Sequence, residues 1–373
     1  MRSLLERVTV MRGSLPPQDG KLHPERFTNF DFLRVLAAAS VIFSHSFLIA
    51  EGSEADEPFV PWLGAIIDIY GVYIFLIMSG FLVSRSLLHS SNVTSYLWKR
   101  ALRVVPALAV GAVVSGVVIA SLYSAIGTDA YLLSQYGYRY IVKVILLLPV
   151  WEIPTVSFYP GYIGEGVNGV LWTIQQEVFL YIILAGLLLV RMFTPFIMAA
   201  LLMIGSLFFI NQTLIVESPF LVNFAYALPS FSAGAVIYFV SERFGFNRNI
   251  AIACGVILLG ALTLGIFEQA FPLPGAYLTI YLGTSPSLKL PNLARFGDVS
   301  YGTYMYGWPV QQVVRSQLGE NADPWILFAL SLPIALCCGW LSWHMVEKRF
   351  LRWKRVDPLQ VWKSLGRKRR GKG

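Results

Sequence analysis

The chain has 373 residues, of which 56% are hydrophobic and only 13% charged, against about 25% charged in soluble domains. A soluble fold of this length could not hide so much apolar surface, so a sizeable soluble domain is excluded and one membrane domain is expected. The net charge of +8 does not indicate nucleic acid. The basic residues fall mainly between apolar runs and in the final residues, a distribution that belongs to membrane topology.

Taken in chain order, residues 1–29 are polar and mixed in charge, unlike a cleavable signal peptide, and are expected to be a cytoplasmic segment. Ten apolar segments then read as membrane-spanning helices: 30–50, 64–85, 103–126, 169–190, 195–215, 222–241, 250–268, 275–284, 298–317 and 325–346. The eighth is short and bracketed by Pro272, Pro274, Pro286 and Pro291, so it is expected to be broken or re-entrant and covered by protein. Between the third and fourth lies the long stretch 127–168, whose apolar run Ile141 to Val150 is too short to span and is expected on the membrane surface or over a cavity. Residues 351–373 form a basic tail containing Arg367-Lys368-Arg369-Arg370, suited to anionic lipid.

Orientation follows from charge. With the N-terminus in the cytoplasm, segments 1–29, 86–102, 191–194, 242–249, 285–297 and 347–373 lie inside and hold most of the 29 Lys and Arg. The opposite loops are acidic. The expected fold is therefore all-α, polytopic, with about ten transmembrane helices and both termini cytoplasmic. The domain division is a cytoplasmic segment 1–29, a transmembrane domain 30–350 and the tail 351–373. Cys254, Cys337 and Cys338 sit in apolar segments, with no disulfide framework and no metal-ligand spacing.

Charged groups at membrane depth are costly and are functional candidates by default. Asp31, Arg34 and His45 lie on the first helix, Asp68 on the second and Glu177 on the fourth. Eleven residues separate Arg34 from His45, about 1100° or three turns plus about 20°, so both share a face about 16 Å apart. Asp31 precedes Arg34 by three residues on nearly that face and can pair with it. His45 lies about 22 Å from the inner end of its helix and Glu177 about 21 Å from the inner end of its own. A shared depth permits a general base oriented by a carboxylate, or a base facing a substrate-binding acid.

Plainer readings stand beside these. His45 also fits a helix-to-helix hydrogen bond, Asp31 and Arg34 an interfacial ion pair, Glu177 a buried structural acid, and Asp68 a structural or a substrate-facing role. His344 and Glu347 read as an interfacial anchor, and His23 and His89 as solvated. Lys99, Arg100 and Arg103, at the start of the third helix, fit phosphate binding or an inside-positive signal equally.

Six stretches together resemble the acyltransferase-three family of integral-membrane acyltransferases, over about residues 27–352. They are Asp31-Phe32-Leu33-Arg34 through His45; Gly71-Val72-Tyr73-Ile74-Phe75 with Ser79-Gly80-Phe81; and Arg100-Ala101-Leu102-Arg103-Val104-Val105-Pro106. The others are Asn168-Gly169-Val170-Leu171-Trp172-Thr173-Ile174 leading to Glu177, Gly297 to Tyr304 followed by Pro309, and Val346-Glu347-Lys348. Many members carry a histidine shortly before that proline, where this chain has Gly307, and many carry a C-terminal periplasmic hydrolase-like domain.

The resemblance implies an O-acetyltransferase of the polysaccharide or lipopolysaccharide type in the bacterial inner membrane. Its donor would be acetyl-CoA or another acyl-CoA, its acceptor a glycan or lipid-linked sugar, with no metal and no nucleic acid. It implies His45 as general base or acyl carrier, with Glu177 orienting it or holding the sugar. Arg34, Lys99, Arg100 and Arg103 would bind the donor, and Asp31, Asp68, Ser79, Asn168 and Trp172 would line the substrate cavity. A proton-coupled transporter or a flippase of lipid-linked sugars is the rival reading of the buried charges. It has no visible inverted repeat.

Overall fold

The computed structural model describes residues 28–159, 166–211, 218–319 and 321–356. Among them there is no β-strand, only one isolated antiparallel bridge between Ser124 and Val156. Eleven described helices have ten residues or more: α1 Thr28–Glu51, α2 Ile67–Leu88, α3 Val93–Val113, α4 Tyr136–Ile145, α5 Leu171–Leu189, α6 Pro195–Ile210, α7 Pro219–Phe244, α8 Arg248–Thr263, α9 Pro272–Thr284, α10 Ser300–Leu318 and α11 Pro324–Ser342. His23, the basic tail beyond residue 356 and the acids Glu165, Glu217 and Glu320 lie outside the described residues.

Each of the ten expected apolar segments coincides with a helix. Among the described residues, six helices are long and apolar enough to cross a membrane: Asn29–Glu51, Ile67–Leu88, Val93–Leu122, Leu171–Leu189, Pro219–Phe244 and Pro324–Lys354. α6 and α8, of 16 residues each, are shorter. α9 has 13 residues and is well covered: Gly275, Ala276, Tyr277, Thr279 and Ile280 are buried. α10 is less apolar because it carries Gln311, Gln312 and Arg315, all buried inside the bundle.

α3 begins ten residues before its expected start. Asn92 caps it, its Oδ1 accepting the Ser95 backbone N–H at 2.7 Å, which satisfies one of the helix's orphan donors. The first turns are amphipathic, burying Ser95, Tyr96 and Leu102. An apolar-run search passes over such turns because they carry charge. Lys99, Arg100 and Arg103 therefore stand within the helix, held rigidly. α3 then passes through a wide turn over Val114–Ile119, where the Tyr131 hydroxyl donates to the Gly116 carbonyl at 2.6 Å. The short apolar run after it is helical earlier than expected, over α4, and α4 packs on α3.

The core is α2 against α7, α1 against α2, and α10 against α11 and α1. α2 and α7 touch backbone to backbone: a side chain on Gly80 would meet the Phe231 carbonyl, and one on Gly234 the Ile77 carbonyl. This is the close approach by which helices associate in lipid. Asn29 ties the start of α1 to the end of α9, its amide donating to the carbonyls of Leu282 at 2.9 Å and Leu288 at 2.8 Å. Large apolar side chains are exposed on α6 (Met203, Leu207, Phe208), α8 (Ile252, Val256, Leu259) and α11 (Ile326, Leu330, Ile334). Such continuous apolar surface suits a lipid boundary.

Candidate active site

The internal polar groups form two clusters, joined by α1 and α2. Arg34 and His45 are eleven residues apart on α1. Ser79 and Asp68 are eleven apart on α2, which packs against α1. Three turns plus about 20° separate each pair, about 16 Å along its axis. Arg34 and Ser79 line one cavity, while His45 and Asp68 meet about three turns further along the two helices.

The first cluster surrounds a cavity of about 830 Å³ lined by residues of α1, α2, α3, α5 and α10, among them Arg34, Ser79, Arg100, Thr173, Glu177 and Tyr301. Glu177 Oε1 accepts hydrogen bonds from the Ser79 hydroxyl and from Tyr181 at 2.5 Å. Arg34 Nη1 lies 3.4 Å from Asp298 Oδ2 and 3.8 Å from Asp31 Oδ1. Arg103 is held more firmly, 2.7 Å from Asp298 and 3.5 Å from Glu347. Ser300 and Ser342 donate to these carboxylates at 2.9 and 3.0 Å. Three carboxylates thus compensate two guanidinium groups, so Arg103 braces α1, α3, α10 and α11 together.

Arg100 differs. It forms no ion pair among the described residues. It donates to Ser86 Oγ at 3.4 Å and lies 5.9 Å over the Tyr181 ring, and its Nε is buried with no hydrogen-bond partner. Lys99 donates to Ser90 at 3.0 Å. Lys354, which the sequence did not single out, lies within electrostatic range of Lys99, Arg100 and Arg103. Lys99, Arg100 and Lys354 therefore make a basic cluster, of which Arg100 lines the cavity.

At the other end His45 Nε2 stands 3.4 Å from Asp68 Oδ2. His45 Nδ1 is buried and without a hydrogen-bond partner, as is Asp68 Oδ1. The Trp308 ring stands edge-on to the imidazole, with centroids 4.8 Å apart. Val72, one turn from Asp68, is the cavity-lining residue of α2 nearest to this pair in sequence. The following loop is pinned over it: Glu57 is buried, accepting from Ser44 and from the Ile67 backbone N–H at 2.7 Å. Burial and the neighbouring Asp68 push the Glu54 carboxyl up to about 7.

Several expectations change. Glu177 does not share the depth of His45: it bonds Ser79, about three turns of α2 from Asp68, and Asp68 is the carboxylate that meets the imidazole. Asn168 is buried away from the cavity, its amide donating to the Met305 carbonyl at 3.0 Å and its Oδ1 accepting from the Val170 backbone N–H. Trp172 and Asn168 instead line a second, more apolar cavity of about 550 Å³ with Leu108, Val144 and Trp151. Glu347 is not an interfacial anchor. It is buried on Arg103 and Ser342, while His344 is exposed and bonded to the Trp340 carbonyl. Glu57 belongs to the buried site rather than to a solvated outer loop. At Gly307 a Cβ would stand 2.8 Å from the Ile42 side chain, so a histidine there would displace that side chain.

Asp298, Glu347, Lys354, Tyr181 and Trp308 are the site residues that single-helix reasoning missed. Asp298 and Glu347 stand in recognised motifs, but Asp298 was given no role of its own and Glu347 was read as an interfacial anchor.

No cluster of three or more His, Cys, Asp or Glu suited to a metal occurs among the described residues. A helical bundle with an apolar boundary and ionisable groups lining an internal cavity defines an intramembrane catalyst or carrier. The acyltransferase-three family, described as an acyltransferase domain, matches residues 27–344; the chain belongs to that family and is a membrane acyltransferase. It is 28% identical to the O-acetyl transferase of Shigella phage Sf6 over 331 residues, 86% of this chain and 95% of that protein. It is also 28% identical to nodulation protein 10 of Rhizobium leguminosarum bv. viciae over 347 residues, 86% of this chain and 92% of that one. No solved structure matches it.

Proposed function

We propose that the protein moves an acyl group, acetyl in the simplest case, from cytoplasmic acyl-CoA to a hydroxyl of a cell-surface or lipid-linked glycan at the bacterial inner membrane. His45 is the general base. The observation that carries this reading is the His45–Asp68 pair, with the buried Nδ1 unpartnered, about three helical turns from a cavity lined by Arg34, Arg100 and Arg103.

The residues present suit such a donor. Lys99, Arg100 and Lys354 offer cations to phosphates, and the unpartnered Arg100 Nε has a donor to give. The cavity wall of Val72, Phe75, Leu76 and Thr173 fits an extended, largely apolar arm. Glu177, fixed by two hydroxyls, can accept an amide N–H on the way. Arg34 holds the junction of α1 with Asp298. The donor supplies a thioester carbonyl beside His45.

Asp68 orients the ring through Nε2 and stabilises the positive charge that forms on it, leaving Nδ1 as the basic nitrogen. His45 Nδ1 takes the hydroxyl proton of the acceptor as the new C–O bond forms. The C–S bond breaks, and the proton passes from His45 to the departing thiolate. Asp68 Oδ1 can bind a second sugar hydroxyl.

In this reading the N-terminus and the chain's last residues lie in the cytoplasm and about ten helices cross the membrane, α9 being short and covered by its neighbours. Membership of an acyltransferase family, and a relative named as an O-acetyl transferase, weigh against the transporter alternative.

The test is transfer of radioactivity from labelled acetyl-CoA to membrane glycan in cells with the protein, without it, and with His45→Ala. Label that requires the intact protein and vanishes with His45→Ala supports the reading. Wild-type levels of label with His45→Ala overturn the role of His45.

A further inference from the structure

We propose that Trp308 sets the length of the acyl group: its indole closes the space beyond His45 and restricts the donor to short acyl chains. This rests on the reading that the reacting carbonyl lies at His45.

The indole is built to stay in place. It is buried and edge-on to His45 with centroids 4.8 Å apart. Its Nε1–H donates to the Gly166 carbonyl at 2.6 Å, and Gln312 donates to the same carbonyl at 3.3 Å. Its six-membered ring lies flush on Gly169, where even a Cβ would stand only 2.8 Å away. A bond at one end and a backbone surface beneath fix the plane of the ring, as a wall that discriminates by size requires.

What lies beyond the wall gives the position its meaning. Gly169 also lines the second cavity, of about 550 Å³, with Leu108, Val144, Leu147 and Trp172. Trp308 and the backbone on which it rests thus stand between His45 and a second, largely apolar space. With the indole in place that space is closed to a chain extending from His45. With the indole removed, a longer chain gains the volume that the ring vacates beside the reacting carbonyl.

The experiment measures binding and needs no acceptor. S-ethyl-, S-butyl-, S-hexyl- and S-octyl-CoA thioethers are titrated by calorimetry into the purified full-length protein in lipid nanodiscs. Wild type is compared with Trp308→Ala and with Trp308→Leu and Trp308→Phe, which retain apolar bulk if the alanine variant does not fold. Wild type is expected to bind S-ethyl-CoA at least ten-fold tighter than S-hexyl-CoA. The variants should erase or reverse that preference, since each accommodated methylene is worth about ten-fold or more in such a pocket. A wild type indifferent to chain length, or folded variants that keep its preference, would overturn the proposal. If wild type binds no member of the series, the acyl-CoA reading fails first. If it binds them with Trp308 making no difference, only the role of Trp308 fails.

Discussion

His45 and Asp68 meet across the interface of α1 and α2, the imidazole Nε2 3.4 Å from the carboxylate. Neither helix alone announces the pair. His45 sits near the C-terminal end of α1, Asp68 in the first turn of α2, and the loop between them folds back so that Glu57 holds Ser44 of α1 and the first residue of α2 together. The site is therefore assembled by a connection whose one buried residue, Glu57, is an acid.

If Asp68 orients His45, Asp68→Asn keeps the shape but loses the charge that favours the imidazolium. Turnover is expected to fall by about 10²-fold to 10⁴-fold, with little change in the KM for acyl-CoA. Initial rates at varied acetyl-CoA separate the two parameters. A raised KM at unchanged turnover would place Asp68 in donor binding instead.

The two arginines of α3 should respond differently to the same change. Arg100→Gln removes a cation with no carboxylate partner, so the KM for acyl-CoA should rise about ten-fold or more while the melting temperature holds. Arg103→Gln leaves Asp298 and Glu347 facing each other in the bundle, a loss of about 3–5 kcal/mol typical of a broken buried pair. Thermal melts in detergent, run beside the kinetics, distinguish brace from ligand.

Gly80→Ala forces α2 away from the Phe231 carbonyl of α7. Because the obstacle is backbone, no rotamer change relieves it, and overpacking of this kind costs about 1–3 kcal/mol. A lowered melting temperature with unchanged affinity for acyl-CoA is expected. Gly186, where a Cβ meets nothing, is the control and should tolerate alanine.

The Glu54 carboxyl, raised from its ordinary value to about 7, makes stability depend on pH. The folded protein holds this proton where the unfolded chain has released it. The contribution is thus fully present below about pH 4.5 and is lost as pH rises through 7. Between pH 5 and 8 the melting temperature of wild type should fall more steeply than that of Glu54→Gln. Parallel slopes would show that Glu54 titrates normally.

Much of the architecture was legible from apolar runs, because a segment that must satisfy its backbone in lipid has no choice but helix. Each of the ten predicted segments overlaps a described helix, and the eleven-residue spacing of Arg34 and His45 put both on one face. The start of α3 was not legible, since its first turns are amphipathic and charged. The burial of Glu57 and Glu347 was hidden for a related reason: acids beside helix ends look solvated until a neighbouring helix covers them.

By itself the sequence determined that this is a helical membrane protein with ionisable groups held at depth, because composition and run length are local properties and the penalty for unpaired backbone in lipid is absolute. Which charges face one another was decided only by tertiary structure. His45 turned to Asp68 and not Glu177, and Arg103 was absorbed by Asp298 and Glu347 while Arg100 was left without an acid. Those choices depend on the rotation and crossing of helices distant in the chain, set by contacts such as Gly80 on Phe231, and no periodicity within one helix records them.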